Sequence, residues 1–182
     1  MERDLSFILT HLGENREDGY HAVVPPIVQS GNFTYPSVQA MREVVQREME
    51  RPLYTRGFNP TVGVLREKIA ALEGAEDALV FSSGSAAIAA AVLSFVKAGD
   101  HVVCVDKPYS WTKKLLADLL PRFGVEHTFV DGTNAENYRR AIRENTTFFI
   151  LESPNSLTFE LQDIAAVAVI AKEHGILSLC DN

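Results

Sequence analysis

Residues 78–106 read ALVFSSGSAAIAAAVLSFVKAGDHVVCVD, and this stretch decides the fold class. A short apolar run is followed by a polar turn, by a long and almost wholly apolar segment, and by a second short apolar run. The order predicts a strand at 78–81, a helix at 85–97 and a strand at 101–105. Strands that are apolar throughout, with helices between them, are typical of a parallel sheet covered on both faces.

The same alternation continues to the end of the chain and predicts an α/β fold. The further predicted elements are helices at 111–120, 135–143 and 163–174, and strands at 125–130, 148–151 and 176–180. Ligands of such sheets bind at the carboxyl ends of the strands. Polar residues of this sequence gather at those ends, so the pattern alone predicts a site there.

Upstream of this region the sequence is irregular as far as residue 60. One helix is predicted at 37–50 and a second at 61–73. Four apolar side chains share one face of the first helix: Val38, Met41, Val45 and Met49. Those expected to point inward from the second are Val62, Leu65, Ile69 and Leu72. The change near residue 60 divides the chain into an N-terminal segment, 1–60, and an α/β region, 61–182.

Composition and charge argue against several classes of protein. The 182 residues carry 24 acidic and 17 basic side chains, a net charge of −7, whereas nucleic-acid binders usually show a basic patch. The N-terminus lacks the apolar stretch of a signal peptide. No apolar run approaches the roughly 18 residues of a membrane helix. We therefore expect a cytoplasmic protein with no nucleic-acid or membrane partner.

The cysteines and histidines predict no special chemistry. Cys104 and Cys180 lie inside apolar runs and are expected to be buried free thiols. The five histidines show no metal-ligand spacing, and we expect them at the surface or at the edge of the core.

A polar turn precedes the long apolar helix and is a candidate anion site. Gly84 and Ser85 stand at the start of that helix, where unpaired backbone N–H groups and the helix dipole favour a phosphate. Glycine also lets the backbone approach a ligand closely. A tight turn with a serine N-cap would explain the same residues.

Three further residues have both a chemical and a structural interpretation. Asp181 ends an apolar strand, where a carboxylate can hold a ring N–H⁺ or simply cap a loop. Tyr109, at another strand end, can stack on a flat cofactor and move a proton, or be a core-edge tyrosine. Arg56 suits a phosphate, or lies in a surface loop.

Together these segments resemble the cysteine and methionine metabolism family of pyridoxal-phosphate enzymes. That family includes cystathionine γ-synthase, cystathionine β- and γ-lyases, methionine γ-lyase and O-acetylhomoserine sulfhydrylase. The matching segments, in chain order, are Thr10–Gly13, Val24–Ile27 with Gln29 and Phe33, Tyr54–Arg56, Asn59–Thr61, Leu72–Gly74, Ser83–Ile88, Gly99–Val102, Asp106 with Tyr109, Glu152–Pro154 and Asp181–Asn182.

The resemblance implies a fold and a cofactor. The fold is that of fold-type I pyridoxal-phosphate enzymes: a mainly parallel large domain, an N-terminal arm and a smaller C-terminal domain. By this likeness the arm is 1–60 and part of the large domain is 61–182. The backbone amides of Gly84 and Ser85 would hold the phosphate of pyridoxal 5'-phosphate.

The resemblance also implies roles for side chains. Tyr109 would stack on the pyridine ring and act in proton transfer, and Asp181 would pair with the ring nitrogen. Tyr54 and Arg56 would reach the phosphate of a neighbouring subunit. The implied partners are thus a second copy, in a homodimer or homotetramer with shared sites, and a small amino-acid substrate.

Three departures from the family pattern affect which cofactor contacts and which activity the resemblance implies. The family usually carries Asn two residues after the proline of its Glu-Ser/Thr-Pro segment; here Ser156 holds that place, and Asn155 becomes the candidate for the contact with the ring hydroxyl. Trp111 stands where methionine γ-lyases carry a cysteine, which counts against that activity. None of the six lysines matches the Schiff-base lysine, which in the family follows the segment after Asp181.

We therefore expect the chain to be the N-terminal part of a lyase or transferase that acts on sulfur amino acids or homoserine derivatives. Without the Schiff-base lysine and the small domain, this part would be inactive alone. The alternative is a non-catalytic module that binds the cofactor or a partner. The sequence does not distinguish γ-synthase, β-lyase, γ-lyase and sulfhydrylase.

Overall fold

The computed structural model describes residues 4–182, which form two compact units that meet in sequence at Val80 and Phe81. The first unit contains helices α1 (Leu5–Thr10), α2 (Val38–Val45) and α3 (Pro60–Glu73). The sequence predicts a boundary at residue 60, between an N-terminal arm and part of a large domain. The two compact units do not test that boundary, so it stays a prediction.

Local capping explains where the helices of the first unit begin. α3 starts one residue before its predicted position, because the Asn59 side chain accepts the Thr61 N–H at 2.9 Å; it ends at Gly74, whose φ is +63°. α1 was not predicted. Its signal is Asp4, whose carboxylate accepts the Phe7 N–H at 2.7 Å.

The prediction that one apolar face of α3 points inward is wrong for this unit. Its apolar side chains Val62, Leu65, Ile69 and Leu72 are 39 to 46% exposed, whereas the buried residues of α3 are Gly63 and Ala70. The helix that packs on α3 is α1, which has 6 residues against 14 in α3 and cannot cover a whole face. α2 is also shorter than the predicted 37–50, and its apolar face is exposed.

The second unit is a four-stranded parallel sheet with helices on both faces. Its strands are β1 (His101–Val105), β2 (Glu126–Val130), β3 (Thr146–Glu152) and β4 (Leu177–Asp181), in the order β2-β1-β3-β4. The predicted strand at 78–81 is wrong: this run belongs to no sheet of the described residues. A strand needs a hydrogen-bonded neighbour, and within residues 4–182 none pairs with it.

Side chains alternate between the two faces of the sheet and form two cores. On one face, α4 (Gly84–Phe95) and the helical run 110–123 cover Val102 and Cys104. On the other, α6 (Glu136–Arg140) and α7 (Ile164–Glu173) cover Val103. All five residues of β1 are buried.

The helical run after Tyr109 changes its pitch twice. It starts as α5 (Ser110–Lys114), continues as a π-helical turn (Leu115–Leu119) and ends as a 3-10 turn (Leu120–Phe123). A uniform helix was predicted at 111–120. Within this run, Leu116 and Leu120 are completely buried in the core on this face of the sheet.

The cysteines are free, as expected; Cys104 is buried and Cys180 is half-buried. One histidine departs from expectation, since His101 is completely buried. Residues 4–182 contain no group of three or more potential metal-ligating side chains. Nor does this part of the chain contain a helix long and apolar enough to cross a membrane.

Candidate active site

The carboxyl edge of the sheet brings together most of the predicted site residues. β3 ends at Glu152 and β4 at Asp181, and these two residues are paired in register. Tyr109 follows β1, and α4 begins at the same edge, since Ser85 of α4 and Trp111 of α5 line one cavity of about 390 Å³. The topology therefore places the predicted ring and phosphate contacts at one edge.

The start of α4 offers two backbone donors to an anion. Ser83 caps the helix: its hydroxyl accepts the Ala86 N–H at 3.2 Å, and its carbonyl accepts the Ala87 N–H. Within the described chain the N–H groups of Gly84 and Ser85 have no acceptor. A Cβ atom on Gly84 would meet nothing within 4 Å, so the space beside these donors is open.

The cavity beside this turn contains a polar group without a partner. Thr112 lines it and is 3% exposed, and its hydroxyl has no hydrogen bond to any described residue. Buried hydroxyls are normally satisfied by protein, water or ligand. The hydroxyl oxygen is itself buried, so a molecule in the cavity would meet mainly the apolar side chains that line it.

Asp181 is a half-buried carboxylate without a hydrogen-bonding side chain in residues 4–182. Burial raises its pKa above the ordinary value, and the nearby carboxylate of Glu152 raises it further. A cation next to Asp181 would relieve both effects. A protonated ring nitrogen is such a cation, so the residue fits the predicted pairing.

Tyr109 presents its side chain at this edge while its backbone is fixed. The residue is 39% exposed, and its N–H donates to the carboxylate of Glu152. Its ring stacks on no other aromatic ring of the described chain. One face of the ring can therefore meet a flat ligand.

Asn155 lies deeper than the other candidates. It is 2% exposed, and its Nδ2 donates to the backbone carbonyl of Lys107 at 3.2 Å. Lys107 has a φ of +58°, which is uncommon for a residue with a side chain. The amide thus supports the loop before Tyr109, and a contact with the cofactor ring stays a prediction.

Tyr54 and Arg56 belong to the first unit and form an exposed pair. The guanidinium carbon of Arg56 lies 5.0 Å from the centroid of the Tyr54 ring. The segment is held by three hydrogen bonds to the preceding chain. The Thr55 N–H donates to the Gly31 carbonyl at 3.0 Å, the Thr55 hydroxyl to the Ser30 carbonyl at 2.7 Å, and Asn59 Nδ2 to the Val28 carbonyl at 2.9 Å. Arg56 forms no ion pair among the described residues, so its charge is available to an anion.

Glu152 lies in a segment that matches the family and at a predicted strand end, but the sequence analysis gave it no role. It is 3% exposed, and both its carboxylate oxygens accept hydrogen bonds. A charged residue at the end of an apolar strand was the available signal.

The amino-acid sequence and the fold both match known proteins. The sequence model of the Cys/Met metabolism PLP-dependent enzyme family matches residues 7–182. A cystathionine beta-lyase of Bacillus subtilis is 38% identical over 174 residues, which cover 96% of this chain and 42% of that protein. An L-methionine gamma-lyase of Treponema denticola is 40% identical over 155 residues, which cover 85% of this chain and 39% of that protein.

A crystal structure at 2.35 Å shows the same fold. It is of a protein described as an O-acetylhomoserine (thiol)-lyase of Campylobacter jejuni, with 28% identity and a TM-score of 0.88 over 96% of this chain and 43% of that one. That protein carries a pyridoxyl-lysine monophosphate. The fold-type I architecture and the cofactor class expected from the resemblance are confirmed. The chain spans less than half the length of these relatives. It belongs to the Cys/Met metabolism family of PLP-dependent enzymes.

Proposed function

We propose that this chain is the cofactor-binding part of a pyridoxal-phosphate enzyme, a lyase or transferase that acts on sulfur amino acids or homoserine derivatives. The observation that carries the proposal is the half-buried carboxylate of Asp181, unpartnered within residues 4–182, at the same sheet edge as the two open amides of α4. Bound pyridoxal phosphate supplies an electron sink for bonds at the substrate's α-carbon.

The residues of the second unit divide the work of binding and orientation. The N–H groups of Gly84 and Ser85 bind the phosphate dianion, which the helix dipole also favours. Tyr109 stacks on the ring and can move a proton through its hydroxyl. Asp181 keeps a proton on the ring nitrogen, because a carboxylate favours the charged form of its partner. Asn155 is proposed as the contact to the ring hydroxyl.

The first unit contributes to a site shared between copies. Tyr54 and Arg56 would bind the phosphate in a neighbouring subunit, so that a homodimer or homotetramer is needed for full affinity. Residues 1–60 then act as an arm and residues 61–182 as part of the large domain. In the family the Schiff-base lysine and the small domain follow these segments, so the proposed reaction belongs to the whole enzyme.

Titration with pyridoxal 5'-phosphate tests the binding part of the proposal. In ¹H–¹⁵N spectra of the protein, the largest shifts should fall on Gly84, Ser85, Tyr109 and Asp181, and inorganic phosphate should shift only the first two. Gly84→Ala should weaken binding about tenfold by closing the open space. Shifts that map to other parts of the sheet would contradict the site. The non-catalytic alternative predicts the same binding and no turnover by the whole protein.

The reaction is tested with the whole enzyme and two substrates. Cystathionine and O-acetylhomoserine with a thiol distinguish lyase from sulfhydrylase activity, because only the first yields a 2-oxo acid by elimination. We expect little γ-elimination from methionine, since Trp111 replaces the cysteine of methionine γ-lyases. Efficient methionine cleavage would contradict that expectation.

A further inference from the structure

A buried carboxylate stands at the centre of the carboxyl edge. Glu152 ends β3, which lies between β1 and β4, and it is 3% exposed. Its Oε2 accepts the backbone N–H of Tyr109; its Oε1 accepts the Ser156 N–H at 2.6 Å and the Ser156 hydroxyl. No basic side chain of residues 4–182 forms an ion pair with it. Since each oxygen faces a donor, the ionised, acceptor-only form fits this place.

The same residue adjoins the proposed ring partner. Glu152 is the register partner of Asp181, and the next N–H, that of Ser153, donates to the Asp181 carbonyl at 3.1 Å. One residue therefore binds the backbone of Tyr109 on one side and neighbours Asp181 on the other. Its own carbonyl accepts the Gln162 side-chain amide, which further fixes the strand end.

The three hydrogen bonds are costly to replace. Bonds to a charged acceptor are roughly twice as strong as neutral ones. Among the described residues, this carboxylate joins Ser156 directly to the backbone of Tyr109, and the bond from Asn155 to the Lys107 carbonyl links the same two loops. Ser156 occupies the place where the family usually carries Asn, and here its hydroxyl is committed to Glu152 rather than to a ligand.

We infer that Glu152 is a positioning residue: its carboxylate fixes Tyr109 relative to Asp181 and places a second negative charge beside the residue that holds the ring nitrogen. The inference rests on the proposed roles of Tyr109 and Asp181. It assigns Ser156 to the support of Glu152. The stacked ring and its nitrogen partner are thus set by one side chain on the central strand.

The Tyr109 amide tests the positioning without any ligand. In hydrogen exchange followed by NMR, this amide should exchange slowly in the wild-type protein despite lying at a helix start. Glu152→Gln places an NH₂ group against one of the donors, and exchange at Tyr109 should quicken about ten- to a hundredfold. Glu144→Gln, at an exposed position, is the matched control and should change nothing. Fast exchange at Tyr109 in the wild-type protein would overturn the inference even if the variant failed to fold.

A second variant separates position from charge. Glu152→Asp keeps the charge but shortens the side chain, so Tyr109 should again exchange faster. A ¹³C titration of the Asp181 carboxyl should give a lower pKa in Glu152→Gln than in the wild type, and a smaller change in Glu152→Asp. If Glu152 were purely structural, the Asp181 pKa would be the same in the wild type and in both variants. That result would contradict the inference.

Titration with pyridoxal 5'-phosphate distinguishes this inference from the proposed function. We expect the ligand to shift Tyr109 and Asp181 in the wild type and to bind about tenfold more weakly to Glu152→Gln. If the wild type shows no shifts at these residues, the proposed function fails. If the wild type binds there and Glu152→Gln binds equally well with normal Tyr109 exchange, the proposed function stands and the role of Glu152 fails.

Discussion

His101 and Asp181 lie at opposite ends of the parallel sheet and differ in how their polar atoms are satisfied. At the amino end, His101 is completely buried, and its ring nitrogens are hydrogen-bonded to the hydroxyls of Thr146 and Thr128, each at 2.8 Å. Arg143 donates to the same two hydroxyls, through its N–H at 2.7 Å and its guanidinium at 3.1 Å. At the carboxyl end, the Asp181 carboxylate has no such partner within residues 4–182.

The difference separates groups that stabilise the fold from groups that can bind a ligand. A buried polar group with its partners in the protein favours the folded state, and removing one partner leaves the others unsatisfied. A half-buried charge without a partner costs free energy until a ligand supplies one. Substitutions of His101 and its partners should therefore change stability, whereas substitutions of Asp181 should change binding.

The largest expected effect is at the amino end. His101→Ala leaves a cavity and two threonine hydroxyls without their ring partner, so the free energy of unfolding should fall by about 3 kcal/mol. Urea unfolding measures the loss. Asp181→Asn is the control at the opposite end and should leave the stability unchanged or slightly higher. A loss below about 1 kcal/mol for His101→Ala would show that the network contributes little.

Two glycines near the carboxyl end differ in whether a larger side chain would have room. A Cβ atom at Gly132 would lie 2.7 Å from both Gln162 Cδ and Val105 Cγ2, whereas one at Gly84 would meet nothing within 4 Å. Gly132→Ala should therefore lower the free energy of unfolding by about 1–3 kcal/mol through overpacking. Gly84→Ala should leave it within a few tenths, since alanine favours a helix. Equal losses in urea unfolding would contradict the reading of Gly84 as a ligand position.

The two ends should also give opposite slopes of stability against pH. Burial, and the charge of Arg143, lower the pKa of His101 below its usual 6.5. The unfolded chain then binds more protons in that window, so stability is full above pH 6.5 and is lost as the pH falls towards the folded pKa. The pKa of Asp181 is raised above 3.8, so its contribution is full below that value and is lost as the pH rises through the folded pKa.

These slopes can be isolated by subtracting variants that do not titrate. The difference in unfolding free energy between the wild type and His101→Gln should grow with pH between about 5 and 7. The difference between the wild type and Asp181→Asn should shrink with pH from about 4 upwards. Parallel curves at all pH values would mean that neither group changes its pKa on folding.

The smallest effect is expected at the outer surface of the amino end. Arg143 forms an ion pair with Glu126 at 2.7 Å, and the two side chains are 50% and 61% exposed. Glu126→Gln should change the free energy of unfolding by less than about 0.5 kcal/mol, because water screens an exposed pair. A loss of stability as large as that of His101→Ala would show that the ion pair stabilises the fold as much as the buried His101 ring does.

The strands of residues 101–182 could be predicted because each is a continuous apolar run, and each lies within two residues of its predicted bounds. The run at 78–81 has the same composition and is unpaired, because pairing depends on a neighbour that composition does not reveal. The prediction for α3 failed for the same reason. A row of apolar side chains on a helix does not show which other element will pack against it.

The candidate site could be predicted only in part. Gly84, Tyr109 and Asp181 could be named as candidates because each follows an apolar run or begins a helix at the edge where ligands of parallel sheets bind, and their roles stay predictions. Glu152 has the same position in sequence, but its role depends on bonds to Tyr109 and Ser156, which lie 43 and 4 residues away. His101 could not be recognised, because its partners Thr128 and Thr146 are brought to it only by strand pairing.

The wide turn at Leu115–Leu119 has a consequence for how the chain can vary in length. A π-helical turn holds more residues than an α-helical turn, so it can lose one residue and become α-helical without displacing the chain on either side. In α4 the same deletion would rotate every later side chain by about 100° and move Ile88 or Val92 out of the core. Leu115–Leu119 is thus a place in the second unit where the deletion of one residue can leave both Tyr109 and β2 where they are.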